Sequence, residues 1–284
     1  MKKKVLIIIG LALSFLALTS IIYFLYPVRS HWSEIFRPAA LEIIQFKNPY
    51  SIEKFFNPPW ALIPIIPFAI LPEKIGNALY ASISLFGFAY AAYKMGARWY
   101  VLLIFMILPQ TLYNGIQVNV DWLVAIGFTL PPQIGLFFIL LKPQIGIFLA
   151  LYWFIEAWKK DKIKMVSRTF GPVSIAFLLS FLLFGFYFEK GSFLLGYEGR
   201  TLLPMSIPFG LLLFITAFRL KQSGYSITCF PLLTPYFQPY SLPLAALGII
   251  RYPILVIPFL IGILTTLFDQ ANWYMIERLF GLVP

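Results

Sequence analysis

Apolar runs of membrane-crossing length recur along nearly the whole chain, separated by short basic or proline-containing flanks. A helix needs about 20 residues to cover about 30 Å of hydrocarbon, so a chain of this length holds roughly ten crossings and leaves little for a soluble domain. Sixty per cent of the residues are apolar, 12% are charged and the mean hydropathy is +0.84, outside the composition of soluble domains. The sequence predicts an all-α, polytopic transmembrane helical bundle in which residues 1–284 form a single domain.

The net charge of +11 lies in the flanks between apolar runs, the positive-inside pattern and not a stripe that tracks nucleic-acid phosphates. MKKK followed by the apolar run 5–26 reads as a retained first helix, because the run exceeds a signal-peptide core and no small-x-small site precedes Pro27. Lys2 to Lys4 and the segment EAWKKDKIKMVSR, whose basic loop is 159–168, both read as cytoplasmic and need an even number of crossings between them. Spans at 5–26, 60–71, 76–93, 99–117, from Val120 to about Leu130, and one ending near Trp158 supply six. Further spans at 169–188, 201–218, 226–248 and 253–268 leave Arg219 and Lys221 cytoplasmic, NWYMIERLF as a short interfacial helix and the C-terminus cytoplasmic. Residues 27–57 become the first external loop. The expected location is the plasma membrane of a prokaryotic cell.

Proline breaks this regularity. FKNPYSIEKFFNPPWALIPIIPFAILP (46–72) contains a segment too short to cross untilted, and further breaks lie at LPPQ (130–133), LKPQ (141–144) and PLLTPYFQPYSLP (231–243). Backbone groups freed by such breaks persist at membrane depth only inside protein or beside water, which predicts a cavity open to one membrane face.

In the external loop, Ile35, Ala39, Ile43 and Phe46 recur at helical spacing with Glu34, Arg37 and Glu42 around them, as in an amphipathic interfacial helix. Such a helix either anchors the loop by a solvated face or presents a carboxylate at the lipid–water boundary. Lys142 is the strongest exception to an uncharged interior: it either snorkels from a helix break or lines the cavity for an anionic head group. Asp121, with Gln117 and Asn119 as polar neighbours, reads as an interface residue or a site residue. Arg200 and Arg251 fall at predicted external ends, as anchors or phosphate ligands. A lone histidine, His31, excludes a multi-histidine metal site, and a lone Cys229 excludes an internal disulfide or a cysteine-based one. No Gly-rich phosphate loop or nucleotide fingerprint occurs, so a soluble nucleotide donor is not supported.

FRPAA (36–40), then Asn-Pro-Tyr (48–50), then x-Pro-Pro leading into a short helix that ends in Leu-Pro (57–72) resembles the start of the GT-C membrane glycosyltransferases, especially glycosyltransferase family 87. GIQVN (115–119), LLKPQ (140–144) and LLTPYFQPYSLPL (232–244) are similar to later stretches of that family, in the same order. The resemblance implies a GT-C-like bundle with several short or Pro-broken helices. It further implies transfer of a hexose, typically mannose, from a polyprenyl phosphate to a glycolipid or glycan acceptor at the external face. In that reading Glu34 or Glu42 deprotonates the acceptor. Arg37, Lys142 and Arg200 neutralise the donor phosphate, and Asn48, Tyr50, Gln117, Gln144, Tyr236 and Tyr240 line the substrate. The partners are the two lipid-linked substrates and membrane lipids, with no nucleic acid. The sequence indicates no metal site and leaves a divalent ion open.

The chain departs from the family where an aspartate stands shortly before the aromatic-Arg pair: Trp32 occupies that place and Glu34 is the nearest acid. Either Glu34 takes the role in a slightly re-registered loop, or the chain is a catalytically inactive lipid-binding relative or a subunit of a membrane complex. A small-solute transporter is a third class, disfavoured because the ionisable residues cluster toward one face.

Overall fold

The computed structural model describes residues 2–28, 31–185 and 202–265, and no β-strand occurs among them. Arg200 and the NWYMIERLF segment lie outside the described residues.

Three helices are long and apolar enough to cross a membrane: the first helix, Lys4–Leu25 in its apolar part, Glu73–Lys94 and Pro143–Phe184. We label them α1 (Lys2–Leu25), α4 and α9 in chain order. α1 runs antiparallel to α4: Thr19 donates to Ser82 at 2.9 Å, Phe15 meets Phe86 edge-on at 5.4 Å, and Lys74 lies over the Tyr23 ring. Leu6, Phe24 and Leu183 are each more than two-thirds exposed, an apolar exterior that needs hydrocarbon around it.

α9 is not one straight rod. Asp161 and Lys162 leave helical geometry, Lys162 with a φ of 39°, and the Phe154 and Phe170 rings then meet at 5.7 Å. In a straight helix those two residues would stand about 24 Å apart. The break therefore folds α9 into a helical hairpin, and its basic tip is the segment expected to be a loop at 159–168.

Of the other expected spans, those at 201–218 and 253–268 contain single 13-residue helices, shorter than a full crossing, and the rest are broken. The one at 60–71 is a 3₁₀ turn, Pro59–Leu62, followed by a single helical turn, α3 (Ile66–Ala69), and does not cross. The span at 99–117 is two helices, α5 (Trp99–Ile107) and α6 (Pro109–Ile116), bent by 65° where Pro109 cannot continue the first. Residues 120–130 contribute only the short α7 (Asp121–Gly127), which packs Gly127 against Gly135 of α8 (Pro132–Ile139) in a tight hairpin. α2 (Arg37–Ile44) lies in the first loop.

The segment expected to span at 226–248 goes in and comes back. Beyond α10 (Ile207–Arg219) it forms α11 (Gly224–Thr228), α12 (Phe230–Leu233), an extended stretch and α13 (Leu242–Leu247). Thr228 Oγ1 donates to the Ala245 carbonyl, the Tyr252 hydroxyl donates to Gln222 Oε1 at 2.5 Å, and Tyr225 stacks on Tyr252. Entry and exit are thus side by side, and α14 (Pro253–Thr265) starts from the face at which α10 ended. Arg251 packs beside Gly96, just past α4, and so lies at the end where α1 begins, not at the opposite end expected from a straight crossing.

The entry and exit of this hairpin touch at Gly224 and Gly248, where a Cβ on either would overlap the other's carbonyl oxygen. Gly224→Ala should push two backbones apart at a cost of about 1–3 kcal/mol, visible as a lower thermal midpoint in detergent. Gly171→Ala, where an added Cβ meets nothing within 4 Å, should leave the midpoint unchanged or raise it.

Candidate functional site

Three of these breaks meet at one place. After α6, Val118 takes φ 62°, a left-handed conformation that a β-branched residue rarely adopts and that costs of order 1–3 kcal/mol. The turn sets Asp121 at the start of α7, where unpaired helix N–H groups favour a carboxylate. Asn119 Oδ1 accepts from the Val120 N–H at 2.8 Å and steadies the turn. After α8, Lys142 is extended and Pro143 fixes the first turn of α9.

Across the gap Lys142 Nζ pairs with Asp121 Oδ1. The Asp121 side chain is fully buried and that of Lys142 is 12% exposed. Asp121 Oδ2 accepts from Asn114 Nδ2 at 2.5 Å and from Ser241 Oγ at 2.9 Å. The inward loop of residues 234–241 closes the site: Asn114 Nδ2 also donates to the Tyr240 carbonyl, Asn119 Nδ2 donates to the Tyr240 hydroxyl, and Lys142 Nζ stands 5.2 Å from the Tyr240 ring. A charge at this depth persists only when paired and hydrogen-bonded, and here it is both. The junction is filled by these side chains, so the open cavity expected at the breaks is closed at Asp121.

The first loop braces the same junction. Leu141 N–H bonds the Phe138 carbonyl, so the Phe137 carbonyl loses its helical partner and accepts instead from Trp60 Nε1 at 2.9 Å. Asn57 Nδ2 donates to the Leu141 carbonyl at 2.9 Å. The Asn-Pro-Pro-Trp stretch thereby supplies donors to the end of α8 beside Lys142.

His31–Phe36 form a π-helical turn leading into α2. Trp32 is fully buried, donates to the Glu73 carbonyl and stacks on Tyr80 at 5.8 Å. The Tyr80 hydroxyl accepts in turn from Nε1 of Trp122, the residue after Asp121. Glu34 points out, 59% exposed and 3.9 Å from Lys54. Arg37 and Glu42 are half-buried on α2. Asn48 Nδ2 ties the loop to the Phe184 carbonyl at the end of α9, and the Tyr50 hydroxyl donates to the Asn57 carbonyl.

Of the residues expected at a site, Lys142 and Tyr240 are brought together, with buried Gln117 in the turn before Asp121. Gln144 is half-buried in the first turn of α9, and the Tyr236 hydroxyl accepts from Gln238. Glu34, Arg37, Glu42, Asn48 and Tyr50 belong to the first loop. Sequence reasoning misses Asn114, Ser241 and Asn57; of these only Asn57 carries a signal, its place before two prolines. Among the described residues no group of three or more His, Cys, Asp or Glu side chains is gathered. No family model, no curated protein and no solved structure matches the chain.

Lys142→Met leaves a buried carboxylate unpaired and should destabilise the protein by about 3–5 kcal/mol. Adding Asp121→Leu should recover much of that loss, because the double variant buries no charge. Chemical unfolding in detergent of the unaltered protein, Lys142→Met, Asp121→Leu and the double variant gives the coupling directly.

Proposed function

We propose that this chain is an integral membrane transferase that moves a hexose from a polyprenyl-phosphate donor to a glycolipid or glycan acceptor. The observation that carries the proposal is convergence. GIQVN, LLKPQ and the 232–244 stretch, distant in sequence, contribute Asn119, Lys142, Tyr240 and Ser241 to one junction, and the Asn57-Pro-Pro segment docks on it. The π turn at His31–Phe36 adds support, since a π turn accommodates an extra residue and re-aims the side chains beyond it. On that turn Trp32 faces the core and Glu34 faces outward, 59% exposed.

In this reading Glu34 accepts the proton of the acceptor hydroxyl as that oxygen bonds the sugar C1. The bond from C1 to the phosphate oxygen breaks, and the polyprenyl phosphate leaves with its electron pair. Arg37 and Lys142 supply positive charge to the leaving phosphate. Asp121 pairs with Lys142 and fixes the direction in which its ammonium group points. Tyr240 covers the cation with its ring and bounds the sugar side.

Trp32 favours a second reading, a non-catalytic relative that holds lipid-linked substrate without turning it over, because no carboxylate fits where that indole is buried.

Purified protein in lipid, given radiolabelled polyprenyl-phosphate mannose and a mixed glycolipid acceptor pool, should transfer sugar. Glu34→Gln, a change at an exposed side chain, should lower the rate by about 100-fold or more. Full activity in that variant excludes Glu34 as the base. Donor binding without transfer in the unaltered protein establishes the second reading.

A further inference from the structure

We propose that the tip of the α9 hairpin, together with the end of α10, is a binding surface for the phosphate head groups of anionic phospholipids. The surface is separate from the Asp121–Lys142 junction and does not depend on the transferase reading.

The break at Asp161 and Lys162 brings the exposed Lys159 and Lys160 at the end of one helix, Lys162 at the turn, and Lys164 and Arg168 in the first two turns of the next to one end of the hairpin. Two of these charges are locally matched, Lys159 by Glu156 at 3.2 Å and Lys164 by Asp161 at 3.8 Å. Lys160, Lys162 and Arg168 have no ion pair among the described residues. A second element adds to them. Tyr152 stacks on Phe218 at 4.8 Å, and Lys159 Nζ lies 4.7 Å from the same ring, which fixes the C-terminal end of α10 against the tip. The exposed Arg219 and Lys221 come directly after, also without ion pairs among the described residues.

Hydrophobicity decides the class of partner. Trp158 is 49% exposed and Ile163 67% exposed at the same end of the hairpin, amid the cations. An indole and a branched aliphatic chain among lysines suit the head-group boundary, where the apolar groups enter the acyl region and the ammonium groups meet phosphate. Depth agrees: the α9 half from Pro143 to the break is about 27 Å long, close to the thickness of the hydrocarbon core, so the tip emerges at the boundary. The folded-back hairpin places cations from both of its helices side by side, which suits several phosphates at once.

The test uses the full-length protein in nanodiscs made of phosphatidylcholine with a minority of phosphatidylglycerol. After brief detergent extraction, the lipids that remain bound are quantified by mass spectrometry. The unaltered protein should retain phosphatidylglycerol over phosphatidylcholine at least about fivefold above the bulk ratio, the factor one basic side chain contributes near an anionic surface. Lys160→Gln/Lys162→Gln/Arg168→Gln should bring that ratio close to the bulk value, with unchanged elution volume and thermal midpoint in phosphatidylcholine alone. Excess inorganic phosphate should displace little of the bound lipid, whereas displacement of most of it would show a free-phosphate site and overturn the lipid assignment. Equal retention in the two proteins, or the bulk ratio in both, as expected if the surface instead meets an acidic protein, would also overturn it.

Discussion

A carboxylate shut away from water dictates the middle of this molecule. Asp121 has no solvent to stabilise it, so it needs a counter-ion and hydrogen-bond donors from the protein itself. It receives them from three directions: Lys142 from the start of α9, Asn114 from α6, and Ser241 from the inward loop before α13. None of these groups can reach it along an unbroken helix. The bend before Pro109, the left-handed Val118, the extended Lys142 before Pro143 and the reversal through residues 234–241 are the backbone departures that bring the four side chains together.

The Pro-rich first loop has a place in the same account. Each break releases carbonyls that hydrocarbon cannot satisfy. Asn57 and Trp60 answer two of them at the end of α8, and the prolines between hold the loop in position while presenting no donors of their own. From the other end of the loop, Trp32, Tyr80 and Trp122 form a continuous aromatic path to the residue next to Asp121. Trp32 is therefore a structural member of the junction. Movement of Trp32 has a packed route to the neighbour of Asp121.

Much of the helical framework is legible in the sequence because apolar length and basic flanks report it directly: α1, α4, both halves of α9 and the tip between them fall where composition puts them. The junction is half legible. Lys142 stands out as a charge in an apolar run, but Asp121 reads equally well as an interface residue, since only the bend between α5 and α6 carries it inside. Asn114 and Ser241 are invisible because ordinary polar residues become partners only through distant contacts. The clearest misreading is 226–248. Hydropathy counts apolar length and takes no account of direction, so a hairpin that enters and leaves by one face resembles a crossing. Gly224 and Gly248, whose bare backbones let its two ends touch, escape notice for the same reason.

The most direct test asks whether residues 224–248 return to the face they left. In a Cys229→Ser background, single cysteines at Lys4, Lys221 and Arg251 are labelled in intact and in opened vesicles with a membrane-impermeant maleimide. The account predicts that all three react from the same side. Reaction of Arg251→Cys from the side opposite Lys221→Cys would mean that the segment crosses, and the junction built on its inward loop would not exist as described.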